Sequence, residues 1–401
     1  MENSGDQIGP CEPSIVVHPI NQNYILAATV LDNYHLSKDG GRSWIHGKLN
    51  SEFGVYGDPC VITDERGIFY YFHLGDPSGQ GRSHPLWLES IVMQKSTDLG
   101  VSWTGGIEIG KNTPKQQDKE WAIANQNNGD LYVSWTEFDK YGISDPICKS
   151  RILFSKSKNR GENWSEPIVL SSNLGNCADG DQTTEGAVPA AGPNNEIYIS
   201  WALNNKIYFD KSFDGGLTWQ EIDQPIGEQP GGWETEVKGF SRSNGFPVTA
   251  CDVSESKNRG TIYVNWVDTR NGKDNHDVFL IKSNDRGITW TDPIRVNQDT
   301  TKTDQFFTWM TVDPTDGNIY FVFYDRSETG DLRSDVTLVV SEDGGETFES
   351  HRLNLEPFSP PGNNTFFGDY NNISARNGVI RPIWTEYHEG KLSVWTALVD
   401  F

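Results

Sequence analysis

The octapeptide SFDGGLTW at residues 212–219 recurs with small changes along this chain of 401 residues. The five related copies are SKDGGRSW from Ser37, STDLGVSW from Ser96, SKNRGENW from Ser157, SNDRGITW from Ser283 and SEDGGETF from Ser341. Consecutive copies begin 55 to 71 residues apart, a period that accommodates four short strands and their turns. The octapeptide therefore indicates a repeated four-stranded unit.

The unit around SFDGGLTW shows its strands directly. Apolar and polar residues alternate in EIYISWAL from Glu196 and in KIYFDKS from Lys206, a pattern typical of half-buried strands. GAVPAAGP precedes them and TWQEIDQ follows them as further strands. Helical periodicity is scarce, and a β-propeller leaves only short edges exposed where an open stack of sheets would leave many. The sequence therefore predicts an all-β fold, a β-propeller of four-stranded blades.

The octapeptide is suited to the tight turn between the third and fourth strands of each blade. An aspartate such as Asp214 accepts backbone N–H bonds there, a glycine adopts positive φ, and Trp219 packs against the sheet. Asn159, which replaces the aspartate in one copy, accepts the same bonds. Since an active site occurs once and this turn occurs six times, we interpret the octapeptide as a structural fastener.

Sequences typical of a first strand occur seven times, once more than the octapeptide. They predict seven blades in one domain of residues 1–401, with approximate bounds 12–50, 56–112, 118–172, 184–226, 246–298, 306–355 and 367–401. The last unit has three strands and no octapeptide, so we expect the N-terminus to close the ring by supplying its outer strand. Six blades with an appended sheet are the alternative.

The six octapeptides resemble the Asp-box (BNR) repeat of the sialidase superfamily, and the resemblance spans nearly the whole chain. It implies a sialidase-like β-propeller in which the boxes lie on the face opposite the ligand-binding mouth. A true sialidase of this superfamily would also carry an Arg-Ile-Pro motif near its first strand, where this chain reads CEPSIVV from Cys11. Because Asp boxes occur in propellers of unrelated function, the resemblance alone does not assign sialidase activity.

Composition narrows the range of partners. The formal net charge of −23 at pH 7 repels nucleic acid and anionic membranes, so cationic or neutral ligands fit better. No apolar run is long enough for a membrane-spanning helix, and GxSxG, HExxH, P-loop and dinucleotide-binding motifs are absent. Nucleic acid binding and membrane insertion are therefore not expected. With the resemblance, the expected partner is a glycan or oligosaccharide, and the oligomeric state stays open.

Five insertions lengthen the loops on the predicted mouth face, where second strands connect to third strands and one blade connects to the next. Four of them lie between second and third strands, and a fifth lies between two blades; they begin at His73, Thr136, Val267, Tyr324 and Glu228. Loops longer than a connection requires are usually functional. We expect all five to rise over one mouth.

Acidic residues cluster where the first strands begin. Five carboxylates share this position to within one residue: Glu12, Asp58, Asp118, Glu185 and Asp369. We expect them to form an arc around the central channel, suited to acid–base cleavage of a glycoside. Calcium binding by the same oxygens, or capping of strand ends, are the alternatives. The candidate catalytic residues are Asp58, Asp118, Glu185, Asp369 and Tyr370.

Residues of the mouth-side loops are the candidates for substrate binding. They are Arg242, Arg270, Arg326, His73, Trp233 and Tyr141. Arginine side chains suit a carboxylate, sulfate or uronate group on a sugar, and aromatic rings stack on sugar rings. The structural alternative is that each arginine pairs with an aspartate of its own loop, such as Asp268 or Asp325, and that the rings pack internally.

The sequence thus predicts a carbohydrate-active propeller, a glycoside hydrolase that cleaves an extracellular glycan, with anionic sugars as a candidate class and no required cofactor. A non-catalytic glycan- or protein-binding propeller, with calcium as a ligand, is the main alternative, and a polysaccharide lyase is the third. Cys148 and Cys177 lie in successive loops. They are either disulfide-bonded, as expected of a secreted or periplasmic protein, or buried thiols.

Overall fold

The chain forms a ring of seven antiparallel β-sheets in a computed structural model, which describes residues 9–401. The innermost strands of successive sheets contact each other around the ring, and the first of them also contacts the last. The predicted all-β β-propeller with seven four-stranded blades is confirmed, and the six-blade alternative is wrong.

In each of the first six blades, four strands follow in chain order from the centre of the ring outward. Blades 1 and 2 contain β1 (Ser14–Val17), β2 (Ile25–Thr29), β3 (Asn33–Ser37), β4 (Ile45–Lys48), β5 (Gly57–Thr63), β6 (Phe69–Leu74), β7 (Ile91–Ser96) and β8 (Ile107–Ile109). Blades 3 and 4 contain β9 (Gln116–Ala124), β10 (Leu131–Phe138), β11 (Ser150–Ser157), β12 (Ile168–Val169), β13 (Glu185–Ala191), β14 (Ile197–Leu203), β15 (Lys206–Ser212) and β16 (Gln224–Glu228).

A short hairpin then precedes blade 5, formed by β17 (Glu234–Thr235) and β18 (Ser243–Asn244). Blades 5 and 6 contain β19 (Val248–Cys251), β20 (Ile262–Asp268), β21 (Asp277–Ser283), β22 (Ile294–Arg295), β23 (Gln305–Val312), β24 (Ile319–Asp325), β25 (Asp335–Ser341) and β26 (Glu349–Arg352). A single turn of 3-10 helix, Gly81–Ser83, lies between β6 and β7.

The seventh blade differs from the others. It contains β27 (Asn372–Arg376), β28 (Val379–His388), β29 (Lys391–Thr396) and β30 (Val399–Asp400). Both β29 and β30 pair with β28, at opposite ends of that long strand. Since β27 pairs with the other edge of β28, β29 and β30 lie on the same side of it. The outer strand predicted from the N-terminus falls on residues 1–8 and lies outside the described residues.

Each octapeptide forms the turn from the third to the fourth strand. In the fourth copy, Ser212 Oγ donates to Asp214 Oδ1 at 2.8 Å and accepts the N–H of Gly216 at 2.8 Å. Asp214 also accepts the N–H and the hydroxyl of Thr218, at 2.9 and 2.6 Å. Gly216 has φ of 73°, which glycine adopts without strain. Because the strands are antiparallel, these turns define a box face, opposite the mouth face where inner strands begin.

The octapeptides also connect neighbouring blades. Lys156, which precedes the octapeptide serine of blade 3, donates from Nζ to the carbonyl of Gly215 in the next blade at 2.7 Å. Trp219 of blade 4 packs edge to face on Phe154 of blade 3, with ring centroids 4.8 Å apart. The tryptophan therefore packs on the preceding blade rather than only on its own sheet, and the octapeptide fastens blade to blade.

We expect Asp214→Ala to lower the free energy of unfolding by about 1 kcal/mol, because an exposed carboxylate that accepts several hydrogen bonds is lost. Asp214→Asn is expected to keep most of this stability, since Asn159 accepts equivalent bonds from Ser157 Oγ and Asn163 N. Urea unfolding of both variants measures the difference. Equal stability of the two variants would contradict the assigned role of the side-chain acceptor.

Candidate functional site

The inner strands begin with a kinked backbone on the mouth face. Glu12, Asp58 and Lys119 have φ of 50°, 52° and 53°, in the left-handed region that costs a non-glycine residue about 1–2 kcal/mol. In blade 2 the kink lies at a β-bulge, where the pairing register shifts between Gly57 and Cys60. A bulge re-aims neighbouring side chains. The kinks therefore place successive charged side chains at the mouth of the central channel.

A cavity of about 340 Å³ lies among these kinked strand starts, and we call it the mouth cavity. Its wall includes carboxyl groups from five consecutive blades: Glu12, Asp58, Asp118, Glu185 and Asp369. Tyr56, Trp87 and Tyr141 form an aromatic side of the cavity, with the Tyr56 and Trp87 rings edge to face at 5.1 Å. The structure thus brings together four of the five candidate catalytic residues, all except Tyr370.

Arg242 connects the acids of the mouth cavity. It precedes β18, and its two terminal nitrogens donate to the two oxygens of Asp179 at 2.9 and 3.1 Å. Its Nε lies 3.2 Å from Asp369 Oδ1. Tyr141 donates its hydroxyl to Asp179 at 2.6 Å. Arg242 and Tyr141, both predicted to bind substrate, therefore line the cavity as parts of one hydrogen-bonded network.

Burial and crowding separate the pKa values of these acids. Burial raises the pKa of Glu185 well above its usual range, and the charges of Asp179 and Asp118 add to the effect. Burial likewise raises the pKa of Asp118, together with Asp58 and Asp179. At Asp179 burial acts in the same direction, but the charge and hydrogen bonds of Arg242 outweigh it and hold the pKa below its usual range. The protonated form is therefore favoured at Glu185 and Asp118, and the ionised form is favoured at Asp179, which pairs with Arg242 of the cavity wall.

Glu12 and Asp58 form a second pair of neighbouring carboxyls, which influence each other's pKa. Burial raises the pKa of Glu12 well above its usual range, and the charge of Asp58 and that of Asp369 add to the effect. Two neighbouring carboxyls tend to share one proton, because two negative charges at short range repel each other. Burial also raises the pKa of Asp58.

Sequence reasoning missed Lys119 and Asp179. Lys119 occupies the same kinked position as Glu12 and Asp58, so a closer alignment of the strand starts could have found it. Its side chain is buried, and Nζ lies 3.7 Å from the centroid of the Tyr370 ring without a hydrogen-bond partner. Asp179 lies in the connection before β13, and nothing in the repeat pattern marks it.

Arg270 and Arg326, both predicted to bind substrate, do not line the mouth cavity, and aspartates engage both. Arg270 donates from Nε to both oxygens of Asp268 at 3.0 Å and lies over the Phe279 ring at 4.3 Å. Arg326 is 2% exposed and donates to Asp304 at 3.1 Å. Arg270 thus pairs with an aspartate of its own loop, as in the structural alternative, whereas Asp304, the partner of Arg326, lies in the connection before β23.

His73, Trp233 and Tyr370 do not line the mouth cavity either. His73 is fully buried in β6 rather than placed in a loop, and burial lowers its pKa to about 4. Trp233 is buried behind Arg242, where its Nε1 donates to the carbonyl of Thr183. Tyr370 is buried below the cavity and donates its hydroxyl to the carbonyl of Pro59 at 3.3 Å. Internal packing partners therefore hold all three side chains.

A disulfide braces the loops beside the cavity. Cys148 and Cys177 are bonded, which decides between the two alternatives left open by the sequence. Cys148 belongs to the insertion that carries Tyr141, and Cys177 belongs to the connection that carries Asp179. The bond therefore holds together the two segments whose side chains meet in the Tyr141–Asp179 hydrogen bond.

We expect reduction of this disulfide to lower the free energy of unfolding by about 2–4 kcal/mol, because the unfolded chain gains conformational freedom. The measurement is urea unfolding of the wild type with and without a thiol reductant. The double variant Cys148→Ser/Cys177→Ser is the control, and its stability should not respond to the reductant. A wild type with unchanged stability after verified reduction would contradict this expectation.

Four of the five insertions border one or both of two cavities. The insertion that begins at His73 contributes Arg82 and Trp87 to the mouth cavity. The insertion that begins at Thr136 contributes Tyr141, and the one that begins at Glu228 contributes Arg242. A second cavity of about 910 Å³ adjoins it and shares Arg242. The insertions that begin at Glu228 and Val267 border this second cavity, whereas the insertion that begins at Tyr324 borders neither.

No helix among residues 9–401 is long and apolar enough to cross a membrane. No group of three or more His, Cys, Asp or Glu side chains in the same range is arranged to hold a metal ion.

Comparisons with known proteins identify the fold. No protein-family model matches the chain, and no curated protein matches it. Among solved structures, an ulvan lyase aligns with a TM-score of 0.57 and 13% identity over 100% of this chain and 96% of its own. A Hadza microbial sialidase aligns at 0.53 and 14% over 94% and 73%, and a Penicillium chrysogenum α-L-arabinanase at 0.51 and 13% over 98% and 93%. The chain therefore shares its propeller fold with carbohydrate-active proteins.

Proposed function

We propose that this protein is a glycoside hydrolase that cleaves a glycan in the mouth cavity. The observation that carries the proposal is a cavity with an aromatic side, in which carboxyl groups whose pKa burial raises lie together with Asp369, which pairs with Arg242. A raised pKa suits Asp118 to donate a proton, and a second carboxylate in the same cavity can accept one. The fold shared with sialidases and an arabinanase supports a carbohydrate substrate.

Asp118 is the proposed general acid. Its Oδ1 accepts the backbone N–H of Lys119 at 3.0 Å, and the residue is half-buried at the cavity wall with a raised pKa. A proton held there can pass to the glycosidic oxygen as the bond to the leaving sugar breaks. The local backbone bond fixes one oxygen and leaves the other for the substrate.

Asp369 is the proposed general base. It comes from blade 7, across the mouth from blade 3, and the charge of Arg242 lies beside it. A water molecule that attacks the anomeric carbon would give its proton to Asp369, while Asp118 protonates the leaving oxygen. The carboxyls act directly in this proposal, so we propose no required cofactor.

We propose that the protein works in an oxidising compartment, as a secreted or periplasmic enzyme. The Cys148–Cys177 disulfide supports this location, because such bonds persist outside the reducing cytoplasm.

A screen of purified polysaccharides tests the proposed function. The assay measures new reducing ends, unsaturated sugar products and bound polymer, with and without a calcium chelator. Reducing ends without unsaturation, unaffected by the chelator, are the expected result. Unsaturated products would overturn hydrolysis in favour of a lyase, and binding without any product would favour a binding propeller.

A further inference from the structure

We propose that the sugar residue held in the mouth cavity carries neither a carboxylate nor a sulfate group. The inference rests on the proposed glycan-cleaving function and narrows its substrate to non-acidic sugars. It runs against the expectation from the sequence that the arginines of the mouth-side loops bind an acidic sugar.

The arginines that could hold an acidic group are already engaged. Arg270 and Arg326 lie outside the mouth cavity and pair with Asp268 and Asp304. Arg242 lines the cavity, but both of its terminal nitrogens donate to Asp179. Its Nε donates to Asn244 Oδ1 at 3.2 Å and lies 3.2 Å from Asp369 Oδ1. A substrate anion would have to displace carboxylates that are tethered to the chain and largely buried, and buried charges left unpaired are costly.

The remaining charges of the cavity are also unfavourable for an anion. Carboxyl groups from five blades line the wall, and each one that ionises repels a substrate anion at short range. Lys119 lies within electrostatic reach of two of these acids, Glu12 and Asp58. Arg82 lies against the Trp87 and Tyr141 rings at 5.4 Å from each centroid. The two cations are outnumbered by the carboxyls around them.

Sugar hydroxyls fit the polar atoms that this wall leaves open. Glu185 Oε2 and Lys119 Nζ are buried atoms of cavity-lining side chains without a hydrogen-bond partner. Glu185 Oε2 is a carboxyl oxygen and Lys119 Nζ is a hydrogen-bond donor. A sugar hydroxyl can bond to either atom because it both donates and accepts. The net charge of −23 also disfavours approach of an acidic polymer to the mouth.

Matched polymers test this inference. Each polyuronate in a binding panel is paired with the same polymer after chemical reduction of its carboxylates to primary alcohols, and neutral polysaccharides complete the panel. We expect the full-length protein to bind non-acidic members at least about tenfold more tightly than their acidic partners. Equal or tighter binding of the acidic partner would overturn the inference and leave the proposed function standing. Binding to no glycan would overturn both.

A variant tests whether Asp179 keeps Arg242 from binding an acidic sugar. Asp179→Asn removes the carboxylate that occupies Arg242, so the preference for non-acidic polymers should narrow by about tenfold. Asp145→Asn, an exposed aspartate of the insertion that begins at Thr136, is the matched control and should keep the wild-type preference. An unchanged preference in Asp179→Asn would overturn the assigned role of the engaged arginine.

Discussion

Replacing Asp118 with asparagine is expected to lower kcat for glycan cleavage by about 10²–10⁴-fold, because the amide cannot transfer a proton to the glycosidic oxygen. KM should change little, since the side chain keeps its size and can still accept the N–H of Lys119. The measurement is steady-state kinetics on the polymer identified by the screen. Asp130→Asn, on the box face of the same blade, is the control and should retain wild-type kcat.

The pH profile gives this prediction a second readout. Burial raises the pKa of Asp118, together with the charges of Asp58 and Asp179, so its protonated form persists to higher pH than in an ordinary aspartate. Activity should therefore fall as pH rises through that raised pKa. The remaining activity of Asp118→Asn should lose this alkaline limb. A variant that keeps the limb at full amplitude would contradict Asp118 as the acid.

Replacing Arg326 with methionine is expected to lower the free energy of unfolding by about 3–5 kcal/mol, because Asp304 is then buried without its arginine. Arg326 is 2% exposed, donates to Asp304 at 3.1 Å and donates to the carbonyl of Lys238 at 2.8 Å. Urea unfolding measures the loss. Arg333→Met removes an arginine from an exposed pair with Asp331 and should leave stability unchanged within error.

Low pH should reduce the difference in stability between the wild type and Arg326→Met. Burial acts to raise the pKa of Asp304, but the hydrogen bond and charge of His276 and the charge of Arg326 hold it below its usual range. A lowered pKa contributes stability above the unfolded-state pKa, and that stability is lost as pH falls through the folded-state pKa. The gap between wild type and Arg326→Met should therefore narrow at low pH. A loss below about 1 kcal/mol at neutral pH would contradict a buried ion pair.

Much of the fold could be predicted from the sequence because each blade is a local repeat. The octapeptide at residues 212–219 sets a tight turn by short-range hydrogen bonds, and the alternation in EIYISWAL sets a strand. Both patterns act within a few residues, so they can be recognised without knowing the rest of the chain. The seventh blade was found from its first strand, although it lacks the octapeptide.

The candidate site was predictable only in part. Glu12, Asp58 and Asp369 stand at equivalent positions of the repeat, so closure of the ring was expected to bring them together. The partner of an arginine is not given by a repeat position, and the sequence did not decide whether Arg270 would face Asp268 or a ligand. The sequence pattern places His73 in a loop, but β6 extends one residue beyond it, to Leu74. The imidazole is therefore buried in the sheet.

The sequence by itself determined that this protein is a ring of repeated four-stranded blades with acids gathered at one face, because period and alternation are properties of neighbouring residues. Only the tertiary structure decided which charges meet. Arg242 pairs with Asp179 and Asp369, which lie far apart in the chain and meet in the closed ring of seven blades. Pairing of buried charges depends on distances of a few ångströms in space, and the order of residues does not specify those distances.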